Sequence, residues 1–221
     1  MPAEAVTGTF EIHVFVKPLD PPPDVAEAFS AACTPHMKGL LLRLDYVDKG
    51  FVGVLQSSRY VKGTVDDARR AAEEDARILA SKGFEVVRRK VEAVATNEGV
   101  PRTASDAARA PSDRYFEFHV LVVSKHGPIS NDEVASLRTI ANDMSARLSQ
   151  PCPLSYNALK PQQRFLNLRS RGGLEEAMVH VDTLCKAIAS SGELEVVKVI
   201  SEYICADDNR AIDNGWLEPL S

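Results

Sequence analysis

The chain has 221 residues and a mass of 24.1 kDa, with 44% hydrophobic and 26% charged residues. That is the balance of a folded protein and enough length for one large domain or two of about 100 residues, while a formal net charge of −5 argues against affinity built on neutralising phosphates. No run of eighteen apolar residues and no secretory leader pattern is present, so a cytoplasmic protein with neither membrane nor nucleic-acid partners is expected.

The first strand signal is FEIHVFV at 10–16, where Phe10, Ile12, Val14 and Val16 alternate with Glu11, His13 and Phe15. After Pro18 and Pro21 to Pro23, helical spacing over 25–33 predicts a short helix, ended by Pro35. Residues 40–47 and 51–57 read as strands around a turn at Asp48, Lys49 and Gly50, and 58–63 as a loop. Thr64 and Asp67 resemble a capping box for a helix that Gly83 stops, and 84–92 reads as a fourth strand.

The 97–114 stretch, rich in Ala, Ser, Pro and Arg, has the composition of a linker, with an Ala-rich centre able to form a helical turn. Beyond it FEFHVLV at 116–122 repeats the opening motif, matching Glu117 to Glu11 and His119 to His13. A helix capped by Ser130 and Glu133, strands over 154–159 and 164–169, a helix over 174–190 and a strand over 195–205 follow. GFEVVR at 83–88 and GELEVVK at 192–198 close the two halves alike.

The order βαββαβ thus occurs twice. An α+β protein of two tandem ferredoxin-like sandwiches related by internal duplication is expected, with repeats at 1–98 and 114–206, a linker at 99–113 and a tail at 207–221. In the tail Asp207, Asn209, Asp213 and Glu218 are spaced loosely like a calcium loop, but Ile212 stands where such a loop needs glycine. Trp216 is expected to pin the tail across the repeat junction.

In such a sandwich one sheet face meets the helices and the other is open. The alternation puts Glu11, His13 and Phe15, and Glu117, His119 and Leu121, on the open faces. Ser155, Asn157, Phe165, Asn167 and Arg169 join them from the second half, and Glu11, His13, Arg43 and Ser57 form a thinner set in the first. Apolar residues on such faces call for a cover, which the two faces can supply to each other or a homo-oligomeric partner can supply.

Two Glu-x-His pairs are the plain material of interdomain hydrogen bonds, and equally of general acids, bases and metal ligands. Glu117 and His119 are the candidate catalytic residues, with metal and cofactor left open. Arg169, Arg171, Gly172 and Gly173, directly before a helix, have the make-up of an anion cradle. Glu11, His13, Asn157 and Asn167 complete the candidate ligand-binding set. Nucleotide-loop and nucleophile-elbow motifs are absent from the sequence. Three readings follow: binding of a small anionic ligand on or between the open faces, an enzyme using the Glu/His pairs, or an interaction scaffold. The four cysteines, Cys33, Cys152, Cys185 and Cys205, have no C-x-x-C spacing and are expected to be reduced.

Overall fold

The structure, a computed structural model, describes residues 6–33, 35–46 and 49–216. The first segment contains β1 (Thr7–Val16), α1 (Pro23–Ala32), β2 (Lys38–Tyr46), β3 (Gly50–Thr64), α2 (Val65–Ser81) and β4 (Val86–Val94). After the short helix α3 (Ala104–Ala107) come β5 (Tyr115–Ser124), α4 (Asn131–Leu148), β6 (Leu154–Asn157), β7 (Gln163–Ser170), α5 (Leu174–Ser190) and β8 (Leu194–Asp207). A 3-10 turn at Arg210–Asp213 ends the regular structure.

Local chemistry explains the helix starts. Thr64 accepts a hydrogen bond from Asp67 N–H while the Asp67 carboxylate accepts from Thr64 N–H, and Ser130 and Glu133 do the same for α4. Thr64→Ala is expected to cost about 1 kcal/mol. A denaturation midpoint equal to that of the parent protein would show that this cap adds nothing.

All eight strands join one closed antiparallel sheet in the order β1-β3-β2-β6-β7-β5-β8-β4, with β4 returning to β1. The first segment supplies β4-β1-β3-β2 and the second β8-β5-β7-β6. They meet at two seams, β2 against β6 and β4 against β8. The molecule is therefore an α+β barrel rather than two separate sandwiches, and each open face covers the other. Closure also leaves the sheet no unpaired edge.

The alternation in β1 and β5 sorts side chains between two cores. Phe10, Ile12, Val14 and Val16 point outward to the helical layer, where Phe29, Ala68, Ala72 and Leu79 are buried with them. Phe116, Phe118, Val120 and Val122 do the same against Leu137, Val181 and Leu184. Inside the barrel a smaller apolar cluster of Phe15, Leu44, Tyr46, Val52 and Val54 packs against Trp216.

One expected loop is a strand. Residues 58–63 belong to β3, because β1 starts at Thr7 and pairs Thr7 through His13 with Thr64 through Ser58. Polar Ser58, Arg59 and Lys62 suggest a loop by composition, but the ladder gives their backbone groups partners. At the β2–β3 hairpin Gly50 takes a positive φ of 69°, while Val47 and Asp48 lie outside the described residues, as does Glu218 in the tail. The four cysteines are free thiols. No helix among the described residues is long and apolar enough to cross a membrane.

Candidate functional site: the barrel interior

Antiparallel partners point to the same side of a sheet, so the register defines the interior. In the first segment Glu11 stands between Tyr60 and Glu92, His13 between Ser58 and Lys90, and Phe15 between Gln56 and Arg88. In the second segment Glu117 stands between Arg169 and Glu202, His119 between Asn167 and Ile200, and Leu121 between Phe165 and Lys198. Both Glu-x-His pairs thus face one shared cavity of about 390 Å³.

Charges at its centre are paired in a chain. Arg169 donates to Glu117 from Nε at 2.8 Å, and Lys90 donates to Glu117 at 2.5 Å and lies 2.7 Å from Glu92. Glu92 in turn lies 2.9 Å from His13 Nε2, while Gln56 and the Ser57 carbonyl flank His13 Nδ1. Burial alone would raise the Glu117 carboxyl, yet Lys90 and Arg169 hold it well below the usual carboxylate range. Lys90 and His13 likewise hold Glu92 down against burial. The acidic neighbours keep Lys90 protonated, and Glu92 raises the His13 pKa in spite of burial.

His119 has a different setting. Asn167 donates its amide hydrogens to the Pro153 carbonyl at 2.8 Å and to Ser155 Oγ at 3.1 Å. Its Oδ1 is left to accept from His119 Nδ1 at 2.6 Å, which fixes a proton on that nitrogen. His119 Nε2 then faces Glu202 Oε2 at 3.2 Å. Burial works against the imidazolium, but the hydrogen bond and charge of Glu202, with Glu117 behind, raise its pKa to about 9. Among the described residues Glu202 has no lysine or arginine partner of its own, and burial beside Glu92 pushes it up to about 7. The two face each other at the cavity wall, where the His119 side chain keeps 23% of its surface exposed.

The tail shuts one end. Asp213, 1% exposed, accepts from both terminal nitrogens of Arg88, at 2.7 and 2.9 Å, and from Arg169. Arg88 also holds Asp207 at 2.9 Å through Nε. Tyr46 donates to the Ile212 carbonyl at 3.2 Å, and Trp216 donates to the Leu154 carbonyl at 3.2 Å. Trp216 thus joins an interior cluster of the first segment to a strand of the second.

The opposite end is lined by exposed lysines. On β8 the inner face runs from Asp207 at the tail end to Lys198, and on β2 from Tyr46 at the tail end to Lys38. Lys160, just past β6, joins them, with Tyr60 exposed at the same cavity. Ile200, between Lys198 and Glu202 on the inner face of β8, and Leu121 and Phe165, in register beside Lys198, form an apolar belt next to the His119–Glu202 pair.

No protein-family model matches the chain, and no curated protein matches it. Among solved structures, a protein of Fusobacterium nucleatum subsp. nucleatum is similar with a TM-score of 0.37 and 10% identity, over 97% of this chain and 98% of that one. A heme-binding protein from Thermus thermophilus has a TM-score of 0.33 and 12% identity, over 93% and 95% of the two chains. Chlorite dismutase from Candidatus Nitrospira defluvii has 0.32 and 8%, over 90% and 92%. Likeness at this level concerns the fold and gives no information on ligand or reaction.

Of the residues singled out in the sequence, Glu11, His13, Glu117, His119, Asn157, Asn167 and Arg169 line the cavity. Arg171, Gly172 and Gly173 do not. The first-turn N–H groups of α5, from Leu174 and Glu175, donate to the carbonyls of Pro101 and Arg102, and a Cβ at Gly173 would stand 2.3 Å from the Thr103 carbonyl carbon. That loop packs against residues 101–103, its nearest donors already taken, and Arg169 lines the interior instead. Arg43 and Ser57 are also corrected. Arg43 bonds Asp20 at 3.0 Å, and Ser57 is paired with outward-facing Val14, because the opposite parity of β2 and β3 faces in.

The residues not anticipated are Arg88, Lys90, Glu92, Glu202 and Asp213. Arg88, Lys90 and Glu92 occupy every second position of β4, whereas Glu202 is a lone acid among the apolar inner positions Ile200 and Ile204 of β8 and Asp213 lies in the 3-10 turn. Among the described residues no three His, Cys, Asp or Glu side chains are arranged to hold a metal ion.

Proposed function

We propose that the protein binds a small anionic molecule inside the barrel, its charged group at the lysine-lined end and its body against the apolar belt. The observation that carries this reading is the polarity of the cavity: one end filled by the tail, the other lined by Lys38, Lys160 and Lys198. Its volume of about 390 Å³ falls among those of small-molecule sites, which pair apolar walls with a few placed polar groups. The working site comprises Lys38, Lys160, Lys198, Leu121, Phe165 and His119. Glu11, His13, Glu117, Asn167 and Arg169 serve as its supporting network. The matching strand orders and registers support reading the chain as an internal duplication with repeats at 1–98 and 114–206.

A thermal-shift series with aromatic and branched carboxylates and organic phosphates tests this. A ligand at a hundred times its Kd adds about 2.7 kcal/mol, or roughly 5–10 °C in a chain of this size. Lys198→Ala is expected to reduce that shift. No stabilisation by any member of either class, or full stabilisation of a variant lacking all three lysines, would overturn the reading.

A further inference from the structure

We infer that His119 and Glu202 form a proton-transferring pair that enolises a carbonyl compound held in the barrel, an activity that rests on the ligand-binding reading above. Three features of the geometry carry it. Asn167, its amide hydrogens both engaged, fixes the His119 proton on Nδ1 and so leaves Nε2 as the nitrogen that exchanges protons with Glu202 at 3.2 Å. Among the described residues Glu202 is buried without a lysine or arginine partner, whereas Glu92 and Glu117 are each within 2.7 Å of Lys90; Glu11, the remaining carboxylate of the cavity, accepts from Ser58 and lies 3.9 Å from His13. The pair adjoins Leu121, Phe165 and Ile200, the belt on which the body of a ligand would rest.

The same residues set the substrate class. Lys198 and Glu202 are four residues apart on one face of β8, about 13 Å along the strand, and a lysine side chain spans roughly half of that. The molecule that fits has an anionic group at one end, an apolar middle, and a ketone with an adjacent C–H bond some 7 Å away. In the forward step the Glu202 carboxylate takes the proton from carbon. The C–H electron pair becomes the C=C bond, and the carbonyl oxygen receives the His119 Nε2 proton. Glu202 then returns a proton to Nε2. The products are an enol and the starting pair, with no oxidant or cofactor consumed.

Glu202 is placed to act near neutrality, since burial beside Glu92 raises it to about 7, close to the optimum for a general base at that pH. The charged groups around the pair are Glu11, Glu92 and Glu117, with His13 and Lys90 beyond them.

The test uses 4-acetylbenzoate in D2O, with deuterium entry into the acetyl methyl followed by proton NMR and binding followed by thermal shift. The intact protein is expected to accelerate exchange over buffer. Glu202→Gln is expected to slow it at least 100-fold while the ligand-induced shift is kept. His119 15N shifts supply a readout independent of turnover: Glu202→Gln should lower the pH at which the imidazole titrates. Binding without exchange above the Glu202→Gln level, or a His119 titration indifferent to Glu202, overturns the proton-transfer role and leaves the binding reading standing. Failure of 4-acetylbenzoate to bind overturns the proposed substrate class, and failure of the whole carboxylate and phosphate series overturns both.

Discussion

Replacing Asp213 with alanine is expected to lower the unfolding free energy by about 3 kcal/mol, because it leaves two buried guanidinium groups short of a counter-charge. Arg88 and Arg169 are each 3% exposed and both donate to the Asp213 carboxylate. Among the described residues Arg88 keeps Asp207 and Arg169 keeps Glu117, which places the loss at the low end of the range for breaking a buried pair. Asp213→Asn, which keeps the shape but not the charge, should cost less. Guanidinium denaturation at neutral pH measures both. Trp216 is the only tryptophan and sits between Leu154 and the inner apolar cluster, so its emission should shift to the red in Asp213→Ala as the tail loosens. A stability change below about 1 kcal/mol would mean that the tail is not what balances the two arginines.

Stability is expected to fall as pH rises from mildly acidic values toward 9, and this slope should depend on Glu202. The fold raises the Glu202 pKa from 4.5 to about 7, so the stability that comes with its protonated form is complete below 4.5 and lost as pH climbs through 7. His119 is raised from 6.5 to about 9, so its contribution is complete below 6.5 and lost as pH rises through 9. The two effects have the same sign. Glu92, Glu117 and Asp207 are depressed, so they stabilise in full above their ordinary values of 4.5, 4.5 and 3.8 and lose that contribution as pH falls toward their folded-state values. Maximum stability is therefore expected near pH 4.5, with the Glu202 contribution lost between about 4.5 and 7 and that of His119 between about 6.5 and 9. Glu202→Gln should flatten the decline that begins at about pH 4.5 and be the more stable protein at pH 8. Denaturation midpoints measured from pH 4 to 9 decide it, and a parent protein with a level profile across the alkaline half would refute the assignment.

Strands with strict alternation could be read directly. FEIHVFV and FEFHVLV have their apolar residues at every second place, and the faces of β1, β5 and β7 follow from period two alone. Helix α5 was legible at both ends, and the caps of α2 and α4 could be read from Thr64–Asp67 and Ser130–Glu133. β2 could not be oriented, because Leu40, Leu41, Leu42 and Leu44 offer apolar groups to both sides, and the wrong choice placed Arg43 and Ser57 in the site. In β4 the period-two run Arg88, Lys90, Glu92 has the pattern of a solvent-facing strand. Only closure against β8, a pairing between residues more than a hundred positions apart, makes that face an interior. No local pattern encodes such a partner. Asp213 was hidden for the same reason: in sequence it belongs to an ordinary turn, and its arginines come from two distant strands.

With all eight strands in a single chain, positions that the two registers equate are free to differ, as Arg88 and Lys198, Lys90 and Ile200, and Tyr60 and Arg169 do. Two identical subunits closing such a barrel would have to repeat each choice at both ends. Here the asymmetry makes a blind-ended vessel. If the barrel binds a ligand as proposed, the seated Asp213 places entry and exit at the lysine-lined end. A molecule longer than the vessel protrudes into solvent instead of threading through.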